Sequence, residues 1–80
     1  HARLGNGVEV DALVSTGGKT LAVEVKLGHH PTVVDQAAQS LQKFAELMPD
    51  PPILLVITGG GMSYRRPDGV NVIAVGSLGL

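Results

Sequence analysis

Residues Gly7–Gly28 read GVEVDALVSTGGKTLAVEVKLG, and this run decides the fold. Two valine-rich pieces, Val8–Val14 and Thr20–Lys26, flank Gly17-Gly18, a glycine pair free to take positive φ. That is the pattern of a β-hairpin. Side chains alternate along a strand. Val8, Val10, Ala12 and Val14 therefore share one face, and Glu9, Asp11 and Leu13 the other. In the second strand Leu21, Val23, Val25 and Leu27 oppose Ala22, Glu24 and Lys26. A two-residue loop pairs Thr16 with Lys19, which fixes the register. Val10–Val25, Ala12–Val23 and Val14–Leu21 then face each other, Asp11 stands opposite Glu24, and Glu9 opposite Lys26. The valine face is expected to carry the core, leaving all four ionisable groups together on the second face.

Glu9 against Lys26 is an ordinary cross-strand ion pair, but Asp11 against Glu24 places like charges opposite each other, which destabilises a hairpin. Two readings resolve this. Both carboxylates stand in water and are screened. Alternatively they share a hard divalent cation, which takes oxygen ligands and keeps several waters. Lys26, two residues beyond Glu24, would then stand beside the ion, able to orient a water or stabilise charge on a phosphate.

Outward from the hairpin, His1–Leu4 reads as the end of a first strand, turned by Gly5-Asn6-Gly7. After the hairpin, Thr32 is expected to cap a helix, with Asp35 near its positive end. At about 100° per residue Val33, Val34, Ala37, Ala38, Leu41, Phe44, Ala45, Leu47 and Met48 fall in one arc. Pro49-Asp50-Pro51-Pro52 stops the helix. Ile53–Thr58 (ILLVIT) is continuously apolar, as in a strand covered on both faces and paired in parallel through a helical crossover. A last hairpin follows, with Pro67-Asp68-Gly69 as its turn. The expected architecture is α/β: a mixed β-sheet with one crossover helix, in the order β-β-β-α-β-β-β, forming one domain over 1–80.

Composition narrows the function. The 80-residue chain has no cysteine, hence no disulfide framework and no thiolate metal site. Its net charge of −1 supplies no overall field to hold a polyanion. Phe44 and Tyr64 are its only aromatic residues, too few to stack single-stranded bases. No apolar run is long enough to span a membrane. The chain begins at His1 in what reads as mid-strand, and is expected to be a fragment of a longer protein. Gly59–Gly61 is not followed by Gly-Lys-Ser/Thr, so no ATP site is expected within the chain. His29-His30 reads as an exposed loop, and Arg65-Arg66 as exposed strand-end charges.

Asp11, with Glu24-Val25-Lys26 following, matches the Asp…(Asp/Glu)-x-Lys signature of the PD-(D/E)XK nuclease superfamily. Taken with PPILLVITGGGMSYRRPDGVNVIAV and a terminal leucine, the chain resembles the C-terminal nuclease-like domain of uncharacterised prokaryotic AAA-type ATPases. The resemblance implies a restriction-endonuclease-like fold. It implies Mg²⁺ or Mn²⁺ held by Asp11, Glu24 and the Val25 carbonyl, and Lys26 assisting attack on a DNA phosphodiester. Glu9 and Gln39 are expected as auxiliary residues, although Lys43 stands where members with a helix Gln carry an aromatic. DNA, an upstream ATPase domain and a homo-oligomeric contact are the expected partners, without a membrane and in the cytoplasm. The alternative expectation is a catalytically silent module of such an ATPase, docking DNA or protein.

Overall fold

The computed structural model describes residues 2–3 and 9–75, with side chains from Val10 onward. The Gly5-Asn6-Gly7 turn, the terminal leucine and the side chain of Glu9 lie outside the described residues. The elements run β1 (Ala2–Arg3), β2 (Glu9–Val10), β3 (Ala12–Thr16), β4 (Lys19–Lys26), α1 (Pro31–Glu46), β5 (Ile53–Thr58), β6 (Tyr64–Arg65) and β7 (Asn71–Ala74). β3 to β7 form a five-stranded mixed sheet in the order β3-β4-β5-β7-β6, and β1 pairs with β2 in a separate ribbon.

The β3–β4 hairpin has the expected turn and register. Gly17 and Gly18 take φ of 56° and 79°, the doubly positive conformation that matches the twist of a two-residue hairpin. Thr16↔Lys19, Val14↔Leu21 and Ala12↔Val23 are the pairs that the sequence predicts. β4 and β5 are parallel, joined through α1, and β7 lies parallel to β5 on the far side. The last hairpin closes with Gly69, at φ 89°, donating to the Arg66 carbonyl at 3.0 Å.

The expected single strand Val8–Val14 is broken at Asp11. The Asp11 N–H donates to the Val23 carbonyl at 3.0 Å, while Val23 is already the register partner of Ala12. Two residues thus face one, which is a β-bulge. One extra residue reverses the side-chain alternation beyond it. Val10, expected on the same face as Ala12, enters the core cluster with Ala22, Val34, Leu41 and Phe44.

The expectation about faces is overturned as well. Register partners share a face, so Ala22, Glu24 and Lys26 align with Leu54, Val56 and Thr58. Ala22, Val56 and Val72 are buried against Val34, Ala37, Ala38, Leu41 and Phe44 of α1. The helix therefore covers the Ala22–Glu24 face, not the Val23–Val25 face. The opposite face carries Val14, Leu21, Val23, Val25, Ile53, Leu55 and Ile57, among which Val14, Val25 and Ile53 are 47%, 50% and 41% exposed. Apolar side chains stand on both faces of β4, so hydrophobicity alone favours the wrong one.

The apolar arc of α1 is as read, but its start is not. His30 is the N-cap, its Nδ1 accepting from the Thr32 N–H at 3.3 Å, and Pro31 follows at the first helical position. Proline suits that place because its missing N–H has no intrahelical partner there. Asp35, set by the sequence near the helix start, lies beyond the first turn and pairs with Arg66 across 2.6 Å. Arg66 also reaches Asp68 at 3.1 Å, so it is a clasp between the last hairpin and α1 rather than a loose strand-end charge.

The clasp has a pH signature. Partial burial works to raise the pKa of Asp68, but the Val70 N–H, the Arg66 guanidinium and Gln42 outweigh it and hold the carboxyl below its ordinary value of 3.8. Because the folded-state pKa is depressed, this contribution to stability is present above about pH 4 and is lost as pH falls through the folded pKa. Urea unfolding between pH 6 and pH 2 should show wild type losing stability in acid, with a shallower slope in Asp68→Asn. Equal slopes would mean that Asp68 plays no part in acid unfolding.

Candidate functional site

The site is built around the bulge. Val25 would ordinarily donate its N–H to a backbone carbonyl on the neighbouring strand. Here the bulge has displaced that strand, and the Val25 N–H donates instead to Asp11 Oδ2 at 2.7 Å. The Asp11 carboxylate therefore rests on the peptide joining Glu24 to Val25. Among the described residues its Oδ1 has no partner. In an extended strand the N–H and C=O of one residue point toward the same neighbour. The Val25 carbonyl therefore turns to the edge where Asp11 sits.

Glu24 lies on the helix side, its side chain 10% exposed, with Oε2 at 3.6 Å from Lys26 Nζ. The Lys26 side chain is 41% exposed, so it reaches from the buried carboxylate toward solvent. The two are neighbours because i and i+2 on a strand share a face. Thr58, the register partner of Lys26, is almost fully buried and donates its hydroxyl to the Gly60 carbonyl at 2.8 Å. In the sequence Thr58 is only the end of an apolar run; the parallel register is what sets it beside Lys26.

The other predicted residues are less involved. Glu9 pairs by its backbone with Arg3 in the β1–β2 ribbon, and the β3–β4 ladder ends at Ala12↔Val23, short of the expected Glu9–Lys26 pair. Gln39 is on the exposed side of α1. His30 is occupied in capping the helix. His29 stands beside Gly60 and Gly61.

Glu24 and Lys26 sit toward the carboxyl ends of the parallel pair β4 and β5, the end at which open α/β sheets bind ligands. A cavity of about 210 Å³ lined by Gly18, Lys19, Thr20, Asp50, Pro51 and Ile53 lies at the opposite, amino ends of the same strands. It shares no residue with the bulge.

Among the described residues no three acidic or histidine side chains gather as a metal-binding group. A hard cation here would rest on the two carboxylates of Asp11 and Glu24, the Val25 carbonyl and water. That donor set is all oxygen, as Mg²⁺ and Mn²⁺ require, and one Asp11 oxygen is available to it. By donor type these residues suit the ion that the resemblance implies.

The fold and this site define a small α/β domain, a mixed sheet covered on one face by a single helix, with an acidic bulge beside its central parallel pair. The chain belongs to the family described as a domain of unknown function, DUF4143, whose model matches residues 1–78. No curated protein and no solved structure matches it. No helix among the described residues is long and apolar enough to cross a membrane.

Proposed function

We propose that the domain is a PD-(D/E)XK-type nuclease module, cleaving DNA phosphodiesters with Mg²⁺ or Mn²⁺ and carried by an AAA-type ATPase. The observation that supports this reading best is the seating of the Asp11 carboxylate on the Glu24–Val25 peptide, with the Lys26 amine on the Glu24 side chain. Asp11, Glu24 and the Val25 carbonyl would hold the ion. When bound there, a divalent cation supplies Lewis-acid polarisation of a phosphate and acidification of a water. Asp11 is kept in place by its backbone bond to Val25 and so needs little reorganisation to bind. Glu24 is shielded from water, which strengthens its attraction for a cation. Lys26 brings a positive, half-exposed amine to the charge that develops on the phosphoryl oxygens.

The test is nicking of supercoiled plasmid in Mg²⁺ and in Mn²⁺ by wild type, Asp11→Asn and Lys26→Ala. Wild type should convert the plasmid to open circles. Lys26→Ala should slow this by about 10²-fold or more, the usual loss for a charge-stabilising donor. Cleavage that survives unchanged in both variants would remove the assignment.

A second reading is favoured by a different observation. The sheet face opposite α1 is apolar and partly exposed, with Val14, Val25 and Ile53 each more than two-fifths exposed. A domain that docks protein through this face, as a silent module of the same ATPase, would display such a surface. It predicts no cleavage under any cation.

A further inference from the structure

We infer that Lys26 is a resting counter-ion of Glu24, and that loading a divalent cation releases its amine toward the substrate side. The inference rests on the cation site proposed above and adds how that site is regulated. Three observations lead to it. The Lys26 amine lies 3.6 Å from Glu24 Oε2, so in the resting state it stands on a carboxylate that would bind the ion. The exposures are unequal, 10% for the Glu24 side chain against 41% for Lys26. A buried carboxylate is costly without a nearby positive charge, whereas a half-exposed lysine leaves its partner at small cost. Lastly, Asp11 is held in place through the Val25 N–H, so the group free to move is the lysine.

The chemistry is an exchange of counter-charge. A divalent ion carries twice the charge of an ammonium group and accepts the same oxygen. As it binds, the carboxylate passes from Lys26 to the ion, and the lysine, on a flexible four-carbon stem, turns to solvent. No bond is made or broken and no proton moves. The amine is thereby withheld until the ion is present and then becomes available beside it.

Two measurements on the whole chain test this, neither of them a measure of cleavage. The first is the rate at which an N-hydroxysuccinimide acetate labels each lysine, read by peptide mass spectrometry with and without Mn²⁺. Lys19 and Lys43, both exposed, are internal references. Mn²⁺ should speed labelling of Lys26 several-fold and leave Lys19 and Lys43 unchanged, and Glu24→Gln should show fast Lys26 labelling with no cation added. The second is Mn²⁺ calorimetry on wild type and Lys26→Met. Removing the competing amine should tighten Mn²⁺ binding about two- to fivefold, the worth of a partly exposed ion pair.

Mn²⁺ that binds wild type and Lys26→Met equally, with Lys26 labelling unmoved, would overturn the exchange and leave the cation site standing. An absence of Mn²⁺ heat in wild type would remove the site and the exchange together. Weaker binding in Lys26→Met would also overturn the exchange, since the lysine would then be supporting the ion.

Discussion

Asp11→Asn should melt within a few degrees of wild type and yet bind no Mn²⁺, whereas Asp11→Ala should lose both the cation and stability. The split follows from the two tasks of one carboxylate. Oδ2 accepts from the Val25 N–H at 2.7 Å, in the place that a ladder carbonyl would fill. An asparagine carbonyl accepts the same bond. It lacks the charge that a hard cation requires. Alanine removes the acceptor and leaves the Val25 N–H to water, at a cost of about 1–2 kcal/mol. For a domain of this size that is a shift of roughly 4–16 °C in melting temperature. Differential scanning fluorimetry and calorimetry on the three proteins read both effects. Equal melting of Asp11→Ala and wild type would mean that the bulge holds without its side chain. Retained Mn²⁺ binding in Asp11→Asn would mean that Asp11 is not a ligand.

The second large effect is expected at Phe44. Phe44→Ala should cost about 3–5 kcal/mol, the range for truncating a buried aromatic. Phe44 is 1% exposed and belongs to the cluster joining α1 to Ala22, Val56 and Val72. The whole stability of a small domain is on the order of 5–15 kcal/mol, so this variant should be largely unfolded near 50 °C. The consequence reaches the site, because α1 covers the sheet face from which Glu24 projects. Far-ultraviolet circular dichroism with a urea titration measures the loss. A change under about 1 kcal/mol would show that the helix is not what secures this face. Phe44→Leu, which keeps most of the volume, should lose much less.

How much of the fold is legible in the sequence depends on which physical signal each element carries. The Gly17-Gly18 turn was readable because only glycine takes two positive φ values in succession at no cost, and the turn set three of the predicted pairs. The α1 arc was readable because Val34, Ala37, Ala38, Leu41 and Phe44 recur at helical spacing, and all five are buried. The parallel placement of β5 followed from an apolar run too uniform for a one-sided strand. The bulge was not readable. An extra residue leaves no mark in the alternation of VEVDALV; it shows in the bond from the Asp11 N–H to the Val23 carbonyl and in the burial of Val10. The helix-covered face was misassigned because Leu21, Val23 and Val25 outrank Ala22, Glu24 and Lys26 in hydrophobicity, and Glu24 is nonetheless buried. His30 was passed over as a cap in favour of Thr32, although Pro31 between them was the better marker of a helix start.

Of the site, the sequence placed Glu24, Val25 and Lys26 along one strand and Asp11 on its neighbour. It did not foresee that Asp11 would bond to the backbone of that strand, nor that Thr58 would lie beside Lys26.

The extra residue at Asp11 also bears on how related chains are to be compared. The chain distance between Asp11 and the Glu-x-Lys pair counts Ala12, the second of the two residues that face Val23. A relative that dropped it, or gained another, would keep a nearly unchanged string of letters while the acid turned to the other side of the sheet. Alignments that slide a gap freely through this segment will therefore merge domains with different geometry, and the position of the gap is the character to record.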